Sequence, residues 1–206
     1  MGYLTKACAF FSLMSVALAA NQITTKSLAQ SAPSPKPLMA ERLVMPLFPT
    51  GWREFIKEGG AVEVVEYLPD EQSLKIWQDK IILQVYHDLN DLPLDAIQRR
   101  TQGQNRNRCT AVIEGPLQSG LNNGYPAAFW TLGCRYVNAN GFGETHYIKA
   151  IQGTAALYVL SRVWRTQPFG QDGPAIDPAA LDKGISFLTT SVVCIPNSAM
   201  HPCAIN

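Results

Sequence analysis

Glu144 and His146 are the two residues in this sequence best placed for acid–base chemistry. They lie two positions apart in a stretch rich in β-branched and aromatic residues, and alternate residues of a strand point to the same face. A carboxylate beside an imidazole suits general acid–base catalysis when a pocket adjoins the pair. One hypothesis is therefore a small hydrolase, and the alternative is a surface pair on a sheet. The other histidines, His87 and His201, match no metal-ligand spacing.

Four arginines form the second feature with chemical potential, and they are Arg99, Arg100, Arg106 and Arg108. No acidic residue occurs between Asp95 and Glu114, so the cluster is locally cationic. Guanidinium groups bind phosphate and carboxylate through paired hydrogen bonds. The cluster predicts a patch that docks an anionic lipid or an acidic envelope protein. The alternative is a solvated helix end, where cations favour the C-terminal dipole.

Other chemistry-bearing motifs are missing from the sequence. It has no G-x-S-x-G, and Gly141-Phe142-Gly143 lacks the following helix that a phosphate-binding loop needs. Thiolate zinc sites usually contain a C-x₂₋₄-C pair, which is also missing. We therefore expect no cofactor and no metal, and a non-enzymatic role is the leading hypothesis.

The N-terminus has the pattern of an export signal. Lys6 provides a positive charge, Ala7–Leu18 is apolar, and Ala17-Leu18-Ala19 is an A-x-A cleavage site. The apolar run of about a dozen residues is too short to span a bilayer, which takes roughly 20. The sequence thus predicts a bacterial signal peptide over residues 1–19, a periplasmic or secreted mature protein, and no transmembrane segment in that mature chain. A short buried helix is the alternative.

The net charge argues against a nucleic-acid partner. The full chain carries a formal charge of +1, and cleavage after Ala19 removes Lys6 and no acidic residue, so the mature chain has +1 − 1 = 0. A neutral chain has no overall field that would attract nucleic acid. Any anionic partner must be bound by a local patch.

The mature chain keeps four cysteines, an even number that predicts disulfides in an exported protein. Three pairings are possible, and we favour Cys109–Cys134 and Cys194–Cys203. The second pair closes a short loop that contains two prolines, and the first would join two neighbouring strands. A metal site is the rival interpretation.

The composition divides the chain into three parts. Residues 20–46 are poor in aromatic residues and contain three closely spaced prolines, which predicts a flexible leader after the signal peptide. Residues 47–206 are long enough for a single domain with its own core.

The first half of this domain predicts two strands and then two helices. Trp52–Lys57 and Ala61–Leu68 flank a glycine pair and indicate a hairpin. Ser73 can cap a helix with one apolar stripe, although Ile81–Tyr86 would suit a strand equally well; the stripe is Leu74, Trp77, Ile81 and Val85. A second helix is expected to start near Pro93 and run towards Gly103.

The second half predicts four strands and a last helix. Cys109–Glu114 and Ala127–Val137 are expected strands, joined by a loop over Gly115–Pro126. Glu144–Gln152 and Ala155–Trp164 form a predicted hairpin, and the second arm is apolar on both faces, which places it inside a covered sheet. After a loop over residues 167–174, Asp177 and Pro178 start the last helix, with an apolar stripe of Leu181, Ile185, Leu188 and Val192.

This order, β-β-α-α-β-β-β-β-α, predicts an α+β domain: a mostly antiparallel sheet of about six strands with helices packed against it. Together with a few short motifs it resembles a set of exported bacterial proteins of unknown function. Those motifs are Glu66-Tyr67-Leu68-Pro69, Gln72-Ser73-Leu74, Trp77, and the Tyr147–Trp164 hairpin with Ile151-Gln152-Gly153. The order also resembles the fold of the photosystem protein PsbP and the nuclear-transport factor Mog1. That resemblance implies a binding role and supplies no catalytic residues.

The leading functional hypothesis is therefore an exported interaction module, such as an accessory component of a cell-envelope assembly. The rival classes are a small hydrolase that uses Glu144 and His146, and a periplasmic carrier with a small-ligand pocket between sheet and helices.

Overall fold

Ten strands and two helices form the part of the chain that the structure, a computed structural model, describes: residues 40–48 and 50–203, with residues 56–58 described by their backbone alone. The strands are β1 (Arg42–Val44), β2 (Trp52–Glu58), β3 (Val62–Pro69), β4 (Asp79–Tyr86), β5 (Val112–Glu114), β6 (Gln118–Asn122), β7 (Tyr125–Cys134), β8 (Gly143–Gln152), β9 (Leu157–Thr166) and β10 (Val192–Cys194). Helix α1 (Leu94–Arg108) follows β4, and α2 (Pro178–Thr190) follows β9.

Eight strands form one antiparallel sheet in the order β2-β3-β4-β9-β8-β7-β5, and β6 also pairs with β7. Strands β1 and β10 make a separate two-stranded sheet. The predicted α+β class is confirmed, with eight strands in the main sheet instead of about six. No helix within the described residues is long and apolar enough to cross a membrane.

The β8–β9 hairpin is the centre of the sheet and is paired over its full length, from Gly143↔Thr166 to Gln152↔Leu157. Every residue of β9 from Leu157 to Trp164 is buried. On one face Leu160 packs in a cluster with Phe187 of α2, and on the other Val159 packs in a cluster with Ile97 of α1. The prediction that this arm is covered on both sides is thus confirmed.

The predicted helix from Ser73 is wrong. Residues 73–78 are irregular, and Asp79–Tyr86 form β4 between β3 and β9. Ile81 and Val85 belong to the cluster under α2, while Tyr86 belongs to the cluster under α1. A strand covered on both faces reads as a continuous apolar run, and such a run also satisfies a helical spacing.

The predicted loop over Gly115–Pro126 is also wrong in part, because it contains β6 and the start of β7. Asn123 and Gly124 both have positive φ, 50° and 83°, and connect these strands directly. A two-residue Asn-Gly connection with this backbone is the preferred turn of a tight hairpin. The predicted strand from Cys109 is shorter than expected, since β5 starts at Val112.

Both helices start close to the predicted positions. Helix α1 begins after Pro93 and runs to Arg108, five residues beyond the predicted end near Gly103. Asp177 caps α2 by accepting a hydrogen bond from the Ala180 amide at 2.8 Å. At the other end of α2, the buried Lys149 Nζ donates to the carbonyls of Leu188, Thr189 and Ser191 at 2.8, 3.0 and 2.7 Å. The helix is therefore fixed to the sheet at its C-terminus.

The cysteines are paired as Cys109–Cys134 and Cys194–Cys203, with S–S distances of 2.07 and 2.02 Å. These are the two pairs that the sequence favoured. Strand β1 lies inside the stretch assigned to the leader, yet it pairs with β10. Short strands of this kind are stabilised by their partner and leave little trace in composition. The predicted signal peptide and the leader up to residue 39 lie outside the described residues.

Candidate functional site

Glu144 is the centre of a charged cluster at the end of the sheet where β8 begins and β9 ends. Its Oε2 lies 2.6 Å from Nη1 of Arg108, in the last turn of α1, and its Oε1 lies 3.3 Å from Nη2 of Arg165, its cross-strand partner. The Glu144 side chain is 5% exposed. We call Arg108, Glu144, His146 and Arg165 the Glu144 cluster.

The electrostatics of this cluster hold Glu144 ionised. Burial alone would raise the pKa of Glu144, but the charge and hydrogen bond of Arg108 outweigh burial and lower the pKa to about 2. A carboxylate of this kind is a poor proton acceptor at neutral pH, so its ionisation serves the cluster and not acid–base chemistry.

His146 adjoins Glu144 but is bound to Arg108 instead. Its Nε2 lies 2.8 Å from Nη2 of Arg108 and 3.7 Å from Oε2 of Glu144. Arginine only donates hydrogen bonds, so Nε2 accepts and the imidazole is neutral, with its proton on Nδ1. Burial lowers the pKa of His146, Arg108 lowers it further, and Glu144 offsets part of this shift. The adjoining cavity, about 150 Å³, is smaller than the 300–1,000 Å³ typical of small-molecule sites.

The four arginines of the predicted anion patch point to four different partners. Arg99 pairs with Asp95 at 2.5 Å, and Arg106 pairs with Glu114 at 2.5 Å. Arg108 belongs to the Glu144 cluster. Arg100 is exposed, with its Cζ 6.0 Å from the centre of the Tyr86 ring, and it has no carboxylate partner within residues 40–48 and 50–203.

A groove opens directly beside the Glu144 cluster, and Arg165 belongs to both. The Cζ of Arg165 lies 3.9 Å from the centre of the Trp77 ring and 5.3 Å from that of Phe142. Beside these rings is a hollow of about 620 Å³, into which the irregular segment before β4 and the loop after β9 also contribute Ile76 and Phe169. We call it the Arg165 well.

The Arg165 well is edged by apolar side chains that reach solvent. Ile76 is 79% exposed and Phe142 is 37% exposed, while Trp77 beneath them is 5% exposed. Lys75 and Asp172 add charge to the rim. Exposed apolar side chains beside a guanidinium that lies over two aromatic rings are suited to hold a side chain from another molecule.

The residues of this well come from three separate segments, so no pattern in the sequence points to it. The sequence predicts Trp77 in an apolar helix stripe and Phe142 at a turn. No short motif joins them to Arg165, since only the pairing of β9 with β4 and β8 brings the three segments together. The chain described by the structure contains no group of three or more His, Cys, Asp or Glu side chains that could hold a metal ion.

Comparison with known proteins gives a few structural likenesses. No model of a known protein family matches this sequence, and no curated protein matches it. The chain is similar to the Ran-binding protein Mog1p of Saccharomyces cerevisiae, at 11% identity and a TM-score of 0.44, over 79% of this chain and 99% of that one. It is similar to LpqN of Mycobacterium tuberculosis, described as involved in cell envelope biogenesis, at 15% identity and a TM-score of 0.45, over 81% of this chain and 88% of that one.

A Pseudomonas aeruginosa protein of unknown function is similar at 10% identity and a TM-score of 0.45, over 69% of this chain and 87% of that one. Mog1, whose fold the predicted order of elements resembles, is thus among the structural neighbours. At these identities and scores the likenesses carry no information about the function of this chain.

Proposed function

We propose that this chain is an exported, non-enzymatic interaction module, and that its Arg165 well binds a segment of a partner protein in the cell envelope. On this proposal the protein is an accessory component of an envelope assembly. The two disulfides support export, because thiols in the bacterial cytosol are kept reduced. N-terminal sequencing of the mature protein should then start at or near Ala20.

The observation that carries the proposal is the combination of exposed apolar side chains and an ordered floor in the Arg165 well. Covering Ile76 removes the most apolar surface from water and so contributes most to the free energy of binding, since this side chain is 79% exposed. Arg165 is held by Glu144 on one side and by Trp77 on the other, so binding costs little further side-chain entropy at this residue. Clusters of aromatic residues and arginine are typical of the residues that dominate protein–protein binding.

The contacts of Glu144 and His146 favour this role over the hydrolase alternative. A general base needs a free acceptor atom, an imidazole nitrogen or a carboxylate oxygen, that faces the substrate. The Nε2 of His146 instead accepts from Arg108, and both oxygens of Glu144 are bonded to arginines. These three side chains fix the end of α1 to β8 and hold Arg165 in place beneath the well.

Panning a phage-displayed peptide library on the full mature chain tests the proposal. Peptides selected by the wild-type protein should lose binding to Ile76→Asp and keep binding to Leu121→Asp. Leu121 is a matched control, because it is 76% exposed and lies on β6, away from the well. Equal binding to both variants, or no selected peptide at all, would contradict the proposed function.

A second candidate is anion docking at the exposed face of α1. Arg100 has an aromatic neighbour but no carboxylate partner within the described chain, and the pairs of Arg99 and Arg106 lie on the surface, where ion pairs contribute little. Binding of vesicles that contain an anionic phospholipid should fall in a variant with Gln at positions 99, 100 and 106. Unchanged binding of that variant would leave these arginines as a solvated helix face.

A further inference from the structure

A second well lies on the α2 side of the sheet. It has a volume of about 660 Å³ and is lined by Leu47, Trp52, Asp79, Arg162, Lys183 and Phe187. Arg162 pairs with Asp79, and its Cζ lies 4.5 Å from the centre of the Trp52 ring. Leu47 at the rim is 93% exposed. We call this hollow the Arg162 well, and it repeats the arrangement of the Arg165 well: an arginine paired to a carboxylate and stacked on tryptophan, beside an exposed aliphatic side chain.

A third hollow lies between the two wells and shares lining residues with each. A smaller cavity of about 210 Å³ shares Gln78, Arg165 and Thr166 with the first well. It shares Gln72 and Asp79, among others, with the second. We call this third hollow the saddle. It lies at the end of the sheet where β9 ends and β4 begins, so the three hollows form a row from the Arg165 well to the Arg162 well, which we call the groove.

Side chains along this groove carry an excess of unpartnered polar atoms. Nine buried side-chain nitrogen and oxygen atoms within the described residues have no hydrogen-bond partner. Four of them belong to side chains that line the groove, and these are Asp79 Oδ1, Arg162 Nε, Trp164 Nε1 and Arg165 Nε. Buried polar atoms are almost always bonded, so these four atoms mark a place where the fold leaves polar groups unsatisfied next to the groove.

We propose that one extended polypeptide segment of the partner occupies the whole groove, with an apolar side chain in each well and its polar backbone over the saddle. This inference rests on the proposed function, since it extends the site from the Arg165 well to a second one. An extended chain exposes a backbone donor and acceptor at every residue as well as its side chains, which suits a groove lined by both polar and apolar side chains.

The shape of the groove favours a polypeptide over a small molecule. A small-molecule site is a single concave hollow that encloses most of its ligand. Here two wells of similar volume lie on opposite faces of the sheet and communicate only across an exposed edge, where Gln78 and Asp177 are both exposed. A chain can pass over that edge, whereas a compact ligand would fill one well and leave the other empty.

Charge gives the bound segment a direction. Around the first well Lys75 is balanced by Asp172, because Arg165 is already paired with Glu144. Around the second, acidic side chains outnumber basic ones, since Glu71, Asp79 and Asp177 face Arg162 and Lys183. A segment with a basic residue near its second apolar side chain would therefore match the second well.

The test measures how a synthetic, fluorescein-labelled dodecamer with the consensus of the selected peptides binds to the full mature chain, by fluorescence anisotropy. Twelve extended residues span roughly 40 Å, which is enough to pass from one side of a sheet to the other. The protein variants are Ile76→Asp in the first well, Leu47→Asp in the second, and Leu121→Asp as the control. All three replace exposed aliphatic residues, at 79%, 93% and 76% exposure, so the fold is kept.

We expect Ile76→Asp and Leu47→Asp each to weaken binding about tenfold or more, and Leu121→Asp to leave it unchanged. Halving the peptide should yield one half that responds only to Ile76→Asp and one that responds only to Leu47→Asp. If Ile76→Asp weakens binding and Leu47→Asp does not, the proposed function stands and the single-segment inference is wrong. If neither variant weakens binding, both are wrong. A small molecule could also displace the dodecamer. If its own binding is weakened by Leu47→Asp and not by Ile76→Asp, the Arg162 well is a carrier pocket and the single-segment inference is wrong.

Discussion

Nη1 of Arg108, in the last turn of α1, lies 2.6 Å from Oε2 of Glu144, the second residue of β8. This ion pair joins the end of the helix to the start of a central strand. Through the same carboxylate it reaches Arg165, which lines the Arg165 well. A contact between sequence positions 36 residues apart thus couples the packing of α1 to the shape of the proposed binding site.

Arg108→Gln should destabilise the protein by about 2 kcal/mol, because Glu144 would keep its buried charge and lose its shortest ion pair. Urea unfolding of the purified variant measures the change. Arg99→Gln is the matched control on the same helix. Its ion pair with Asp95 lies on the surface, with side-chain exposures of 65% and 49%, and we expect no measurable change. Equal effects of the two substitutions would show that the Glu144 cluster contributes nothing specific.

The stability of the protein should fall as the pH is lowered from about 6.5 to about 2. The folded pKa of Glu144, about 2, is below its ordinary value, so the unfolded chain takes up this proton first and stability is lost as pH falls. The pKa of the folded His146 is lowered as well, and its protonation in the unfolded chain acts in the same direction below about pH 6.5.

The free energy of unfolding, measured in urea between pH 3 and pH 8, should therefore rise more steeply with pH in the wild type than in Glu144→Gln. The contribution of the Glu144 ionisation is about 3 kcal/mol near neutral pH. Parallel pH profiles of the two proteins would contradict the ionised, ion-paired state of Glu144.

Gly184→Ala should destabilise the protein although alanine is the better helix former. An added Cβ at position 184 would lie 2.5 Å from Cη2 of Trp164, at the point where α2 approaches the sheet. We expect the steric cost, about 1–3 kcal/mol, to exceed the gain of about 1 kcal/mol in helix propensity. Gly103→Ala in α1 is the control, since a Cβ there meets nothing within 4 Å, and it should raise the melting temperature. A more stable Gly184→Ala variant would show that α2 is not packed this closely.

Replacing Cys194 and Cys203 by serine should lower the free energy of unfolding by about 3 kcal/mol. The two cysteines are nine positions apart, and without the disulfide the unfolded chain gains the entropy of the opened loop. Thermal unfolding measures the loss. Peptide mapping without reductant should recover Cys109–Cys134 and Cys194–Cys203 as linked peptides. Free thiols, or a Cys134–Cys194 link, would contradict this pairing of the cysteines.

Sequence patterns predicted the elements that depend only on residues close together in the chain. The β8–β9 hairpin follows from two apolar runs around Gly153 and Thr154, and the start of α2 follows from Asp177 and Pro178. Ile81–Tyr86 fit a strand as well as the end of a helix, because residues buried on both faces show no alternation that distinguishes the two, and the structure has the strand. The Asn123-Gly124 turn was a local signal as well, but the polar residues of β6 made its surroundings resemble a loop.

The proposed binding site was beyond sequence analysis for a different reason. Glu144 and His146 could be placed on one strand face, yet their shared partner Arg108 comes from a helix end, and its direction depends on how α1 packs. Trp77, Phe142 and Arg165 come together only through strand pairing across the centre of the sheet. Tertiary contacts of this kind are not encoded by spacing.

Site-specific photo-cross-linking in the exporting cell tests the central claim most directly. A photoreactive phenylalanine analogue is placed at position 76, beside the Arg165 well, and at position 121, on the exposed face of β6. The account predicts an adduct at position 76 that maps by mass spectrometry to one extended segment of one envelope protein, is lost on competition with the selected dodecamer, and is missing at position 121. The same adducts from both positions, or an adduct at position 76 that the dodecamer does not displace, would contradict it.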